Sequence, residues 1–314
     1  MNSGRLIRLS ALLFVCAIFL GGCGSSSRVE PVFAFSEAVV GPNRIALGIV
    51  KDDTPVNDPD IKVTMRFLYM EENNPAVKQE MEATYFGQGM PVGYYVAYPT
   101  FDQPGNWGIE VETQLPDEAN PSMKRLQLQV LEDSWTPNVG DEARAVETLT
   151  VDTAPALEQL SSGNNINEAM YQISLDEAIQ SGKPTAVLFA TPAYCRTATC
   201  APSLSVVQDL QATYGDQMHF IHSEVYRYPF GESFNEIDAL MQQAMQMGRT
   251  PSSQELRAGY SDAMAAWNLP SEPWLFLIDA NGTIAARFEG GITTEELAPA
   301  LEQLLNGETV LFGG

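Results

Sequence analysis

Two cysteines five positions apart, Cys195 and Cys200, are the residues of this 314-residue chain best suited to covalent chemistry. Cysteines this close can form a disulfide, which is either a structural cross-link or a redox couple that exchanges with other thiols. The chain has two further cysteines, Cys16 and Cys23, and two histidines. It contains no sequence motif of a phosphate-binding loop, a zinc-protease helix or a nucleophile elbow. Nucleotide and hydrolase chemistry therefore has no support in the sequence.

The N-terminus has the pattern of an export signal. Arg5 and Arg8 precede an apolar run over 9–20, which is too short for a membrane span of about 20 residues. The run ends in Leu-Gly-Gly-Cys, which resembles a bacterial lipobox. We expect a lipoprotein signal peptide at 1–22, lipid on Cys23 as the first mature residue, and a tether at 23–31. An ordinary signal peptide with a chance cysteine is the alternative.

The composition limits the partners of the chain. It has 40 acidic and 17 basic side chains, a net charge of -23, and 45% hydrophobic residues. This much apolar material excludes a disordered polymer, and the negative charge would repel the phosphates of nucleic acid. We expect no nucleic-acid partner. The predicted location is the bacterial cell envelope, on the extracytoplasmic side, with contact to a membrane only through the lipid on Cys23.

Residues 32–131 have the pattern of short strands separated by turn residues. Apolar and polar side chains alternate over 61–69, 107–111 and 126–130, and six or seven such strands predict an antiparallel β-sandwich. The sequences Gly-Tyr-Tyr at 93–95 and Pro-Gly-Asn-Trp at 104–107 are similar to those of immunoglobulin-like modules of exported bacterial proteins. The resemblance implies an all-β, immunoglobulin-like N-terminal domain.

The rest of the chain has a different periodicity. Residues 132–165 are rich in Pro, Gly, Asn, Ser and acidic residues, and predict a linker. Buried strands and amphipathic helices alternate after it, with an Asn-Gly hairpin signal at 281–282. The predicted strands are 185–190, 218–225, 273–279 and 283–288, and the predicted helices end at Gly215 and at about 305. This order predicts an α/β domain.

The order of these elements resembles a thioredoxin fold over 166–308, with a tail at 309–314. The resemblance is carried by Phe-Ala-Thr-Pro-Ala-Tyr-Cys at 189–195 and by Leu-Pro-Ser-Glu-Pro-Trp-Leu-Phe-Leu-Ile-Asp at 269–279. In that family a cis-proline opens the third strand opposite the cysteines, and Pro273 matches this position. The resemblance implies a thiol-disulfide oxidoreductase that needs no cofactor and acts on exported thiol or disulfide proteins.

The cysteine spacing departs from the Cys-x-x-Cys pattern of the family. Five steps along a helix rise about 7.5 Å, beyond the roughly 7 Å between Cα atoms that a disulfide spans. Both cysteines therefore cannot lie in one regular helix. Pro202 is tolerated in a first helical turn, so we expect a helix that begins near Thr199 and a preceding loop that holds Cys195.

This placement predicts the roles of the two sulfurs. The amides at a helix N-terminus and the charge of Arg196 favour a thiolate on Cys195, which we expect to attack. Cys200 would then be the resolving thiol. Glu272, directly before Pro273, should lie beside the sulfurs and raise the pKa of Cys195, with a further contribution from Glu224. The alternative is that Glu272 points to solvent.

Two other functions remain open. In one, the disulfide is structural and the chain is a non-catalytic envelope scaffold that binds a partner. In the other, Cys195, Cys200 and His222 hold copper, as in the thioredoxin-like copper chaperones of cytochrome oxidase assembly. His219 and His222 lie on opposite faces of one predicted strand, so both cannot serve one site. A packed or surface His222 is the simpler interpretation.

Overall fold

The computed structural model describes residues 28–310. The predicted signal peptide, the predicted lipid attachment at Cys23 and the first part of the predicted tether lie outside this range. No helix within residues 28–310 is long and apolar enough to cross a bilayer. These residues form two domains, a strand-rich N-terminal domain and an α/β C-terminal domain, as the sequence predicts.

The N-terminal domain is a β-sandwich. One sheet has the strand order β1-β4-β9-β8 with β5 on β4, the other has the order β2-β12-β11-β6-β7, and β3 pairs with β10. The strands are β1 Val29–Phe33, β2 Ala38–Val39, β3 Gly41–Pro42, β4 Ile45–Lys51, β5 Thr54–Pro55, β6 Lys62–Tyr69, β7 Val77–Glu82, β8 Thr84–Phe86, β9 Tyr94–Ala97, β10 Thr100–Phe101, β11 Gly105–Gln114 and β12 Ser122–Leu131.

Side-chain alternation along the strands builds the core of the sandwich. In β6, Val63, Met65 and Phe67 are fully buried, whereas the residues between them are not. Because successive side chains of a strand point to opposite faces, this alternation gives the sheet one apolar face. Trp107 of β11 closes the core, with its ring centroid 4.9 Å from that of Phe101. The apolar faces of both sheets share one core.

The C-terminal domain has a four-stranded sheet of order β14-β13-β15-β16, in which only β13 and β14 are parallel. Its strands are β13 Thr185–Phe189, β14 His219–Ser223, β15 Trp274–Ile278 and β16 Ile284–Glu289, and its helices are α1 Leu175–Gln180, α2 Cys200–Tyr214, α3 Phe230–Gln246, α4 Ser253–Leu256, α5 Asp262–Trp267 and α6 Thr294–Leu305. Apolar residues of α2 and α6 pack on one face of the sheet, and those of α1, α3 and α5 pack on the other.

The connecting segment 132–165 is packed rather than solvated. The amide of Ala143 donates to the carbonyl of Gly282, and the amide of Ile284 donates to the carbonyl of Asp141, so the segment pairs with the edge of the sheet at β16. Further along, Leu160 is buried in the core of the C-terminal domain. The polar composition of the segment predicted a linker. Backbone pairing to a sheet edge leaves no signal in the composition, so the sequence did not reveal this packing.

Buried ion pairs join the two domains. Nε of Arg44 lies 2.6 Å from Oε1 of Glu296, and both side chains are almost completely buried. The hydroxyl of Tyr98 donates to the same carboxylate oxygen at 2.7 Å. A second pair, Arg287 with Glu37, also joins the domains, at 2.6 Å. Each of these charges therefore has a partner across the domain boundary, and none is left buried and unpaired.

Candidate active site

Cys195 and Cys200 form a disulfide with their Cα atoms 5.9 Å apart. Cys200 is the first residue of α2, and Cys195 lies in the loop between β13 and that helix. Ala198 in this loop has a left-handed backbone, with φ of 58°, which most residues avoid. This conformation turns the four intervening residues back on themselves. The helix start and the loop position of Cys195 agree with the geometry expected from the spacing.

The sulfur of Cys195 faces hydrogen-bond donors. The backbone amide of Cys200 donates to Sγ of Cys195 at 3.3 Å, and the hydroxyl of Thr197 lies 3.2 Å from the same sulfur. Cys195 is partly exposed. Donors at the N-terminus of a helix stabilise a thiolate, and exposure lets another molecule reach it. The geometry thus suits Cys195 to nucleophilic attack.

Cys200 lies in the opposite environment. Its side chain is fully buried and packs in the core formed by the sheet with α2 and α6. Oε2 of Glu272 lies 3.7 Å from its sulfur. A buried thiol has a raised pKa unless a neighbouring group accepts its proton. Glu272 is the titratable neighbour that lies within reach.

Glu272 stands beside the sulfurs, two residues before β15, and the peptide bond between Glu272 and Pro273 is cis. The hydroxyl of Tyr226 donates to its other oxygen, Oε1, at 3.4 Å. Burial raises the pKa of Glu272 to about 8, and the negative charge of Glu224 adds to the rise. The carboxyl is therefore mostly neutral at pH 7, and it contacts Cys200. Glu272 thus lies beside both sulfurs, and its expected effect on the pKa of Cys195 stays a prediction.

Glu224 follows β14 and is a second acid, whose charge acts on Glu272. It is buried, and its Oε1 accepts the amide hydrogen of Ser162 at 2.5 Å, whereas Oε2 has no hydrogen-bond partner within the described part of the chain. Burial raises its pKa to about 7, against the lowering effect of Ser162. Ser162 belongs to the connecting segment, which thereby completes the surroundings of the site.

Arg196 points away from the disulfide. Its guanidinium pairs with Asp238 of α3 and lies over the ring of Phe234, 5.5 Å from the centroid. The ring of Tyr194 packs against the same phenylalanine at 5.6 Å. Helix α3 thus packs against the loop that holds Cys195. Arg196 contributes a charge near the site, but one that Asp238 largely balances.

Two polar residues of the site were missed by sequence analysis. Tyr226 holds the free oxygen of Glu272, and Thr197 contacts Sγ of Cys195. Thr197 stands between the cysteines, so its place in the sequence was a usable signal. Tyr226 lies two positions after Glu224, on a segment whose path from β14 toward α3 has no distinctive pattern. Only the fold brings it to the cis-proline loop.

His222 is a core residue of β14. Its Nε2 donates to the carbonyl oxygen of Ala190 at 3.0 Å, and its Nδ1 lies 2.5 Å from the hydroxyl of Tyr171. Burial lowers its pKa to about 4, so the imidazole is neutral. Within residues 28–310, the only group of three potential ligand atoms within 4.8 Å of one another comes from Cys195, Cys200 and Glu272. His222 is not among them.

Comparison with family models agrees with the fold of this part of the chain. The family model of the thioredoxin-like domain matches residues 171–305. A solved structure from Chlorobium tepidum TLS, described as a thiol:disulfide interchange protein of the thioredoxin family, is 16% identical. The alignment covers 55% of this chain and 99% of that chain, with a TM-score of 0.31. No curated protein matches the sequence.

Proposed function

Because residues 171–305 form a thioredoxin-like domain around the Cys195–Cys200 pair, we propose that the chain is a thiol-disulfide oxidoreductase, anchored by lipid on the extracytoplasmic side of a bacterial membrane. One observation carries the redox assignment. The two sulfurs of the disulfide lie in different environments. Sγ of Cys195 is partly exposed and faces two hydrogen-bond donors, whereas Sγ of Cys200 is fully buried and has the carboxyl of Glu272 beside it. A structural cross-link requires neither the donors nor the exposure.

The first step in the oxidising direction takes place at Cys195. A substrate thiolate attacks Sγ of Cys195, the bond between the two cysteines breaks, and a mixed disulfide forms at Cys195. Sγ of Cys200 leaves as a thiolate and takes the proton of Glu272, 3.7 Å away. A second substrate thiolate then attacks the substrate sulfur, and Cys195 leaves as a thiolate that the Cys200 amide and Thr197 stabilise. The substrate has lost two electrons and the cysteine pair has gained them.

The reducing direction runs through the same intermediate. The Cys195 thiolate attacks a substrate disulfide, and one substrate sulfur leaves. Cys200 then gives its proton to the Glu272 carboxylate and attacks Sγ of Cys195, which releases the second substrate thiolate and restores the internal disulfide. Glu272 serves as acid in one direction and as base in the other. Its pKa of about 8 means that protonated and ionised forms of Glu272 are both present near neutral pH, so the carboxyl can act in either direction.

The residues do not fit the copper site of the thioredoxin-like chaperones. Both ring nitrogens of His222 already have hydrogen-bond partners, Tyr171 and Ala190, in a buried position. Binding copper would require His222 to give up at least one of these contacts without a replacement partner for the buried group. Among the His, Cys, Asp and Glu side chains of residues 28–310, the one that groups with the two sulfurs within 4.8 Å is Glu272. We therefore derive no copper chemistry from this site.

Trapping of the mixed disulfide tests the proposal. Cys200→Ser should accumulate a covalent complex with a disulfide substrate at Cys195, because the resolving thiol is missing. Cys195→Ser should form no complex and should lose exchange activity, so each variant serves as the control for the other. A complex formed by Cys195→Ser would reverse the roles. No exchange by the wild-type chain, with a disulfide that resists glutathione, would favour the structural scaffold.

A further inference from the structure

We propose that the reduced form of the site binds a divalent zinc-class cation through Cys195, Cys200 and Glu272. The inference requires that the disulfide can be reduced, and it does not require that the chain turn over a substrate. It differs from the copper site considered above in its donors, which are two sulfurs and one carboxylate oxygen, and in the absence of any histidine.

One pair of ligand atoms already has the separation that a tetrahedral zinc site needs. Zinc binds sulfur at about 2.3 Å and carboxylate oxygen at about 2.0–2.2 Å, which places two such ligands about 3.5–3.7 Å apart. Oε2 of Glu272 lies 3.7 Å from Sγ of Cys200. The three donor atoms lie within 4.8 Å of one another. Reduction lets the two sulfurs move apart while the oxygen stays in place.

Surrounding groups hold the proposed ligands in orientation. The hydroxyl of Tyr226 donates to Oε1 of Glu272 and leaves Oε2 directed at the sulfurs. The Cys200 amide and the Thr197 hydroxyl lie against Sγ of Cys195 and favour its thiolate. Such contacts around a metal site fix the ligand geometry and typically change metal affinity by about 10–100-fold when they are removed.

A bound cation would also balance the charges of its ligands. A divalent ion supplies the positive charge that lets two thiolates and one carboxylate coexist in this partly buried group of ligand atoms.

Three protein ligands leave one coordination position open. Cys195 is partly exposed, so the fourth ligand can be water or a group of another molecule. A mixed set of thiolate and carboxylate suits zinc better than copper(I), which prefers soft donors alone. Because the metal occupies both sulfurs, metal binding and disulfide exchange exclude each other. Zinc would therefore hold the site in its reduced, inactive form.

The test uses the full mature chain, reduced with dithiothreitol and freed of it under nitrogen. Zn²⁺ affinity is measured by competition with a chromophoric chelator, and Co²⁺ is added separately to report sulfur coordination through its absorption spectrum. We expect one ion per reduced chain, sulfur-to-cobalt charge-transfer bands, and no binding by the oxidised chain. Glu272→Gln should weaken Zn²⁺ binding at least tenfold.

Two controls separate the ligand from its surroundings. Glu224→Gln removes a neighbouring buried carboxyl that is not a ligand, so its Zn²⁺ affinity should stay within threefold of the wild type or become tighter. Tyr226→Phe should weaken binding by a smaller factor than Glu272→Gln, which keeps the proposal testable if the latter variant folds poorly. Equal affinity of Glu272→Gln and wild type, or equal binding by the oxidised chain, would overturn the proposal. The mixed-disulfide test of the oxidoreductase would be unaffected by either result.

Discussion

The backbone amide of Ser36 in the N-terminal sandwich donates a hydrogen bond of 2.6 Å to Oε2 of Glu289 in the C-terminal domain. The other oxygen of Glu289 accepts from the hydroxyl of Ser271, and this residue directly precedes the cis-proline dipeptide Glu272-Pro273. The amide of Gly290 also donates to the carbonyl of Pro273 at 2.9 Å. The docked sandwich is therefore two hydrogen bonds away from the loop that faces the disulfide.

Removal of the Glu289 carboxylate should loosen that loop. Glu289→Ala leaves the Ser36 amide and the Ser271 hydroxyl without their acceptor in a buried place, at a cost of about 1–3 kcal/mol in the free energy of unfolding. We also expect faster amide hydrogen exchange around Pro273. Glu80→Ala is the matched control, because its ion pair with Arg66 is largely exposed and should contribute less than about 1 kcal/mol. Equal losses in the free energy of unfolding would show that the hydrogen bonds of Glu289 contribute no more than an exposed ion pair.

Glu272→Gln should act on the resolving step. Since Oε2 of Glu272 lies against Cys200, the variant loses the group that accepts the proton of this buried thiol. Rapid-quench measurements at pH 9, where Glu272 is mostly ionised, should show slower decay of the mixed disulfide with a disulfide substrate, by about 10²-fold if general base catalysis is lost. The rate of Cys195 alkylation below pH 7 should change little, because Glu272 is mostly neutral there. A large change in that rate, with unchanged decay of the mixed disulfide, would contradict the role of Glu272 as the base for Cys200.

His222 should make the fold sensitive to acid. Its pKa is about 4 in the folded chain and about 6.5 in the unfolded chain, so between these values the unfolded state binds more protons. Stability that depends on neutral His222 is therefore complete above about pH 6.5 and is lost as the pH falls toward 4. Across this range His222→Gln should remove up to about 3 kcal/mol of the pH dependence of the unfolding free energy.

His219→Gln is the control for the acid sensitivity. His219 lies at the surface end of β14, with Nε2 3.1 Å from the hydroxyl of Ser181, and it is only partly buried. Burial and the nearby charge of Lys183 lower its pKa as well, but its partial exposure lets water solvate the charged imidazole. Denaturant unfolding of both variants at pH 4.5 and pH 7 compares them. If the pH dependence is the same in both variants, His222 is not its source.

Cys23 should carry the lipid anchor. The Leu-Gly-Gly-Cys boundary predicts processing before Cys23 and acylation of its sulfur. Cys23→Ser should move the protein from the membrane fraction to the soluble fraction of expressing cells, and mass spectrometry should find lipid on the N-terminal peptide of the wild type only. Cys16→Ser, inside the predicted signal, should remain with the membrane. A membrane-bound Cys23→Ser protein with another mature N-terminus would refute the lipid attachment.

The sequence predicted those features that depend on local chemistry. The start of α2 followed from Pro202 and from the short reach of a disulfide, and the place of Pro273 followed from the family resemblance. The pairing of Arg44 with Glu296 could not be predicted, because the partners are 252 residues apart and meet only when the domains dock. For the same reason Arg196 was expected to act on the sulfur, whereas the fold supplies Asp238 from α3 as its partner. The raised pKa of Glu272 results from burial, which sequence position does not reveal.

The reduction potential of the Cys195–Cys200 pair tests the central claim most directly. Equilibration of the full chain with defined glutathione or dithiothreitol buffers, followed by thiol alkylation and mass measurement, gives the potential. An exchanging couple should fall between about -120 and -270 mV, the range of the known thiol-disulfide oxidoreductases, and Cys200→Ser should remove the transition. A potential well below about -300 mV, where structural disulfides lie, would contradict the account and assign the bond to the stability of the fold.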